Sequence, residues 1–248
     1  MNNRQSGNRF TIIIVTAIIV LFGALLVWAF NNKKAAEDAV AEVDLNGYIE
    51  GNDKNGNMPD NVVGNKDEAD IFIIEYADYQ CPGCATTFPF LEEIIDEYDG
   101  QVALIYRSFV LSYHKNGTAA ASAANAAAKQ GYWAEFASLL YANQSEWEYA
   151  DVETRDNYYK EYLKEASDGK ADVEKFISDM NSEAVKKKVN YDISLAKHLK
   201  VNATPTIYIN GESLDFISAT KDEFKNIVYE KIDNYLTNKH IKNKRTNK

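Results

Sequence analysis

The feature that most constrains this chain is a pair of cysteines, its only two, set as Cys81-Pro82-Gly83-Cys84 between a β-branched run and a stretch of helical periodicity. The run IFIIEYA at 71–77 suits a buried strand, and a second, VALIYRSF, occupies 102–109. Over 82–98, Phe88, Leu91, Ile94, Ile95 and Tyr98 recur at three- and four-residue intervals. Strand, helix and strand within about forty residues is the βαβ signature of a partly parallel sheet. Pro82 suits the first helical position, where no N–H is needed, so Cys81 becomes the cap and Cys84 lies one turn in. Unpaired N–H groups and the positive end of the helix dipole favour a thiolate at Cys81. Such a thiolate attacks a disulfide, and its neighbour resolves the mixed disulfide that forms. Three other readings compete. A structural disulfide gains little from closing so short a loop. A zinc site needs two more ligands, and His114, His198 and His240, the only histidines, lack finger-like spacing. An inert pair of buried thiols is the third.

Downstream, 117–199 holds no convincing strand and several amphipathic helices, an all-helical insertion. TIYIN (206–210), Gly211 and SLDFI (213–217) then read as strand, Asn-Gly turn and strand, a strong hairpin signal. Thr220, with Glu223 three residues on, marks the start of a last helix by a capping box. The order is β-α-β, a helical block, then β-β-α.

Upstream, 10–30 is an apolar run without a charge, FTIIIVTAIIVLFGALLVWAF. At about 1.5 Å per residue it reaches the roughly 30 Å of a bilayer's hydrocarbon core. Its length favours an uncleaved anchor over a signal peptide, whose apolar region runs about 7–15 residues. The short segment 1–9 is expected to be cytoplasmic. Arg4 and Arg9 before the span nearly balance Lys33 and Lys34 after it, so charge alone does not orient it. Residues 31–69, rich in Asn, Asp, Gly and Ala, read as a linker, with one short Ala/Glu stretch (35–43) that could be helical. Asp53, Asn55 and Asn57 mimic the start of a calcium loop, but Met58 and Gly64 break it. Residues 238–248 read as a basic, solvated tail. The chain carries −10 overall, and its basic ends supply +4 and +5, leaving −19 between them. That acidic body argues against a nucleic-acid partner.

Three blocks in this order, IIEYADYQCPGC (73–84), YRSFVLSYHKNGTAAASAANAAAKQG (106–131) and HLKVNATPTIYING (198–211), resemble the DsbA-like branch of the thioredoxin superfamily. The similarity covers about 60–237, and within that branch it points to the membrane-anchored bacterial oxidoreductases. It implies a thioredoxin fold over 70–116 and 200–237, interrupted by the insertion and preceded by one transmembrane helix. It also implies a thiol–disulfide oxidoreductase with Cys81 and Cys84 as redox pair and no cofactor or metal. Pro205 matches the family's cis-proline, which would turn Thr204 toward an extended substrate, beside Pro82 and Gly83. Glu75 matches the acidic residue that would take the Cys84 proton during resolution. The implied partners are cysteine-containing exported polypeptides, with a quinone-linked membrane oxidoreductase for recharging if the chain is an oxidase. The domain would then stand outside the cytoplasm.

Two positions depart from the pattern. Gly83 stands where many relatives have histidine, leaving the acidity of Cys81 open, and Ala203 stands where glycine is frequent. Isomerase or reductase activity on the same fold, or a non-catalytic module holding clients or metal, are the alternatives. Pro89 is expected inside the helix, the aromatic residues of 132–162 in the core, and His114 in an ordinary hydrogen bond.

Overall fold

A computed structural model describes residues 3–40, 43–215 and 220–246. Two units, 1–42 and 43–248, are distinct. In the first, helix α1 (Asn3–Val40) contains a 19-residue segment, Ile13–Asn31, long and apolar enough to cross a membrane. Its large apolar side chains, such as Leu21 and Trp28, stand exposed.

The second unit is built on a five-stranded sheet ordered β1-β3-β2-β4-β5. Strand β1 (Asn61–Val63) leads to β2 (Ile71–Ala77), helix α2 (Pro82–Glu97) and β3 (Val102–Ser108). Helices α3 (Gly117–Ala128), α4 (Trp133–Ala142), α5 (Gln144–Trp147), α6 (Val152–Ala166), α7 (Val173–Met180) and α8 (Glu183–His198) follow. Strands β4 (Thr206–Ile209) and β5 (Glu212–Ser213) and helix α9 (Lys221–Thr246) complete the chain. β2 and β3 are parallel, with Glu75 opposite Tyr106, while β4 runs antiparallel to β2 with Ile207 opposite Glu75. This is a thioredoxin fold carrying a helical insertion. β2 and β3 are almost continuously apolar because both faces of the central sheet are covered.

The six helices between β3 and β4 pack their apolar faces inward. Trp133, Phe136, Tyr141, Trp147, Tyr159 and Tyr162 are buried, so most of the aromatic residues in this region build core. In α3, Ala120, Ala121, Ala123, Ala124, Ala126 and Ala127 are all buried, small side chains that let α4, α7 and α8 approach closely.

Three boundaries differ from the sequence reading. The segment 31–69 is not a linker throughout: α1 continues to Val40, within the Ala/Glu stretch that could be helical, and 43–69 folds onto the sheet. Ile49 and Met58 are buried, Asn52 caps the one-turn 3-10 helix Asp53–Asn55, and β1 pairs antiparallel with β3. A three-residue strand leaves no periodicity to read, and what fixes it is remote in sequence. The residues 238–246, read as a basic tail separate from the last helix, continue α9, and Lys239 pairs with Asp70. The last strand ends at Ser213 instead of 217, and 216–219 lie outside the described residues. The turn before it has positive φ at Asn210 (46°) and Gly211 (83°), the backbone that a two-residue hairpin of matched twist requires.

The remote tie is a buried ionic cluster. Arg107 donates to Asp60 at 2.8 Å, and Lys188 reaches Asp60 at 3.0 Å and Asp192 at 2.7 Å, all four side chains fully buried. Arg107 also donates to the carbonyls of Leu45 (2.9 Å) and Gly47 (2.7 Å) and to the Tyr76 hydroxyl (3.1 Å). Burial pushes the Asp60 carboxyl up, but Lys188 and Arg107 outweigh it and hold it below the ordinary 3.8. Its contribution to stability is therefore present above pH 3.8 and is lost as pH falls through the lower folded value. Asp60→Asn leaves two buried cations facing one carboxylate and is expected to cost about 3–5 kcal/mol. Urea unfolding at neutral pH measures this, and the deficit of the variant should shrink in acid.

Candidate active site

Cys81 caps α2 in an extended conformation (φ −84°, ψ 121°), with Pro82 following and the first helical bond running from the Ala85 N–H to the Cys81 carbonyl at 3.1 Å. The cysteine approaches α2 from a short turn whose closure is the Cys81 N–H to Asp78 carbonyl bond, 2.9 Å. Its sulfur is thus left over the open end of the helix. The two cysteines are not bonded to each other; Cys84 is fully buried and Cys81 is 7% exposed.

The two thiols are driven in opposite directions. A hydrogen bond from Cys84 lowers Cys81 most; burial opposes it, and the Thr204 hydroxyl and the N–H groups of Cys84 and Gly83 add to the lowering, bringing it to about 5. Burial, then the hydrogen bond given to Cys81, push Cys84 well above its ordinary value. One sulfur is an anion at neutral pH and the other holds its proton.

Thr204-Pro205 is a cis peptide, and the loop that carries it lies against the cysteine turn. The Cys81 sulfur lies 3.3 Å from the Thr204 carbonyl oxygen, which accepts from it only while the thiol holds its proton. A side chain at Gly83 would put its Cβ 3.1 Å from the Pro205 ring and 3.6 Å from the Cys81 sulfur. A side chain there would require the proline ring to give by a few tenths of an ångström. Beside this contact opens a groove of about 810 Å³, lined among others by Phe90, Val201, Tyr208, Leu214 and Phe224.

Beneath the pair, Glu75 is fully buried on β2. Burial raises its carboxyl to about 8; the Thr87 hydroxyl, donating at 2.9 Å, lowers it, and the Cys81 charge raises it. The second oxygen, Oε2, is buried without a partner. Cys81, Cys84, Gly83, Thr204, Pro205 and Glu75 thus converge from β2, α2 and the loop before β4, with Pro82 opening the helix. Three residues escaped the sequence reading. Thr87 lies three residues after Cys84 on its helix, a spacing that could have drawn attention to it. Asp78 accepts from the Gln80 and Leu111 N–H groups at 2.9 and 2.8 Å and pairs with His114 Nδ1 at 2.8 Å. Gln80 in turn accepts from the Asn116 N–H at 2.8 Å, so the cysteine turn is bolted to the insertion, and His114 serves this anchorage. Among the described residues no group of His, Cys, Asp and Glu could hold a metal ion.

A family model described as thioredoxin matches residues 57–230. A probable disulfide bond formation protein D of Bacillus cereus is 34% identical over 167 residues, covering 63% of this chain and 74% of the relative. Its counterpart in Bacillus anthracis is 28% identical over 218 residues, covering 85% and 91%. Among solved structures, oxidised BdbD from Bacillus subtilis superposes with a TM-score of 0.60 at 23% identity, covering 77% of this chain and 98% of that one.

The opposed shifts leave a signature in stability. The depressed Cys81 adds stability that is complete above the ordinary thiol value of 9.0 and lost as pH falls through about 5. The raised Glu75 adds stability that is complete below 4.5 and lost as pH rises through about 8. Between pH 5 and 8 their slopes have opposite signs and offset one another. Denaturation of the reduced chain should show that Glu75→Gln, which removes one slope, makes stability climb with pH across this window more steeply than in the parent.

Proposed function

Because the chain belongs to the thioredoxin family, and within it has DsbA-like relatives, it is a thiol–disulfide oxidoreductase, and we propose that Cys81 and Cys84 are its redox pair. The observation that carries this reading is the pair of opposed thiol acidities at one helix end. Its substrates are cysteine-containing proteins. In the oxidising direction a substrate thiolate attacks the Cys81 sulfur of the closed pair, and the Cys81–Cys84 bond breaks. Cys84 leaves with the electron pair, and because its thiol is weakly acidic it needs a proton. Glu75, neutral at pH 7, is the acid placed to supply it. A second substrate thiolate then attacks the substrate sulfur of the mixed disulfide, and Cys81 departs readily because its thiolate is stable. The substrate has lost two electrons and gained a disulfide.

Direction follows from the same sulfur. A thiolate held near 5 stabilises the reduced pair and makes the oxidised form the stronger oxidant. Disulfide formation is therefore the favoured activity. Thr204 and Pro205, against the sulfur, offer backbone to an extended substrate, with Pro82 and Gly83 at its other side. The groove beside them receives its side chains. We assign α1 the role of membrane anchor, with the amino terminus cytoplasmic and the domain in an oxidising, extracytoplasmic space where exported polypeptides acquire disulfides. Reoxidation by a quinone-linked membrane partner would close the cycle.

Equilibration with glutathione buffers tests the direction: the pair should lie closer to about −120 mV than to about −270 mV, and a value near the latter would mark a reductant. Cys81→Ala should abolish disulfide formation in a reduced substrate, whereas Cys84→Ala should accumulate the mixed disulfide, visible on non-reducing gels.

A further inference from the structure

Thr87 sits inside α2, where a threonine hydroxyl ordinarily donates to the carbonyl three or four residues back. Those carbonyls, of Cys84 and Gly83, are both 3.3 Å away, yet the shorter contact, 2.9 Å, is to Glu75 Oε1 on the adjacent strand. The hydroxyl has one hydrogen, and the nearest acceptor is the carboxyl. Glu75 Oε1 is thereby occupied while Oε2, equally buried, has no partner. The groups around this carboxyl are Cys81 at the cap of α2, Cys84 within α2, Tyr106 opposite it on β3, Tyr79 after β2 and Tyr141 of α4. None is a cation, and the three phenols are held far above their ordinary value by burial, so they stay neutral.

We propose that Thr87 is a positioning residue for the redox reaction: by holding Oε1 it fixes the Glu75 carboxyl and leaves Oε2 as the one atom that exchanges a proton with Cys84. This rests on the reading of Glu75 as proton carrier given above. The geometry serves both protonation states. With the carboxyl ionised, Thr87 donates to an anionic oxygen; with the proton on Oε2, Oε1 is a carbonyl oxygen and accepts the same bond. When the pair opens, Cys84 leaves with the electrons of the broken S–S bond and takes the Oε2 proton, and solvent later restores it. When Cys84 resolves a mixed disulfide, its proton passes to Oε2, a Cys84–Cys81 bond forms, and the substrate sulfur leaves with the electron pair. The bond is stronger to the anion than to the acid, so removing it should make Glu75 harder to ionise.

The test uses the full chain in detergent, with glutathione as the probe disulfide partner. The Glu75 carboxyl is titrated in the reduced chain by its infrared band, identified through its loss in Glu75→Gln, and the pH profile of mixed-disulfide resolution is recorded in parallel. Thr87→Val should raise the midpoint of both by about one pH unit, a tenfold change in the ionisation constant. Thr87→Ser should restore both, and Thr87→Ala should give the same rise should the valine variant not fold. An unmoved midpoint in Thr87→Val or Thr87→Ala would overturn the role of Thr87 while leaving that of Glu75 intact. A resolution profile identical in Glu75→Gln and the parent would remove the proton carrier itself, and the positioning role with it.

Discussion

One constraint governs the site: two sulfurs straddle the first turn of a helix, one outside it and one within. The outer sulfur receives N–H groups that have no intrahelical partner and a proton shared from its neighbour, and so becomes an anion. The inner sulfur has neither solvent nor helix end to stabilise a charge, and stays a thiol. On the proposed reading, this difference in depth of one turn sets both the reactive atom and the one that must wait for a proton carrier.

The rest of the second unit holds this arrangement still. β2 delivers Glu75 beneath the pair, and its central place between β3 and β4 excludes water from the carboxyl. The loop before β4 brings Thr204 and Pro205 against the outer sulfur, and Gly83 is small enough to let them approach. Asp78 and Gln80 tie the turn that carries Cys81 to the helical insertion, while the buried Asp60–Arg107–Lys188–Asp192 cluster ties β3, α8 and the segment after the first unit together. Buried ion pairs of this kind contribute less net stability than their number suggests, yet breaking one is costly because it strands a charge. Their effect here is to fix which strand edge the 43–69 segment covers.

Much of this was legible in the residues. The β-branched runs, the Cys-Pro-Gly-Cys spacing, the Asn-Gly turn and the Thr220–Glu223 cap are local signals, each written within a few positions, and they gave the strand order in sequence and the helix start under Cys81. The capping bonds are present, Glu223 N–H to the Thr220 hydroxyl at 3.3 Å and Thr220 N–H to the Glu223 carboxylate at 2.7 Å. What could not be read was non-local. β1 is three residues long and exists because Asp60 meets Arg107 and Lys188, 47 and 128 positions away. Asp78, Gln80 and Thr87 looked like ordinary polar residues because their partners lie on other elements. The similarity to a known family, rather than periodicity, pointed to Pro205 and Glu75.

The central claim is that the outer sulfur is an anion near neutral pH and the inner one is not. Alkylation of the reduced full chain as a function of pH, followed at each cysteine by mass spectrometry of its peptide, tests it most directly. Cys81 should react half-maximally at a pH of about 5, with Cys84 protected throughout. Reaction of Cys81 only as pH approaches the ordinary 9.0, or equal labelling of both, would contradict it.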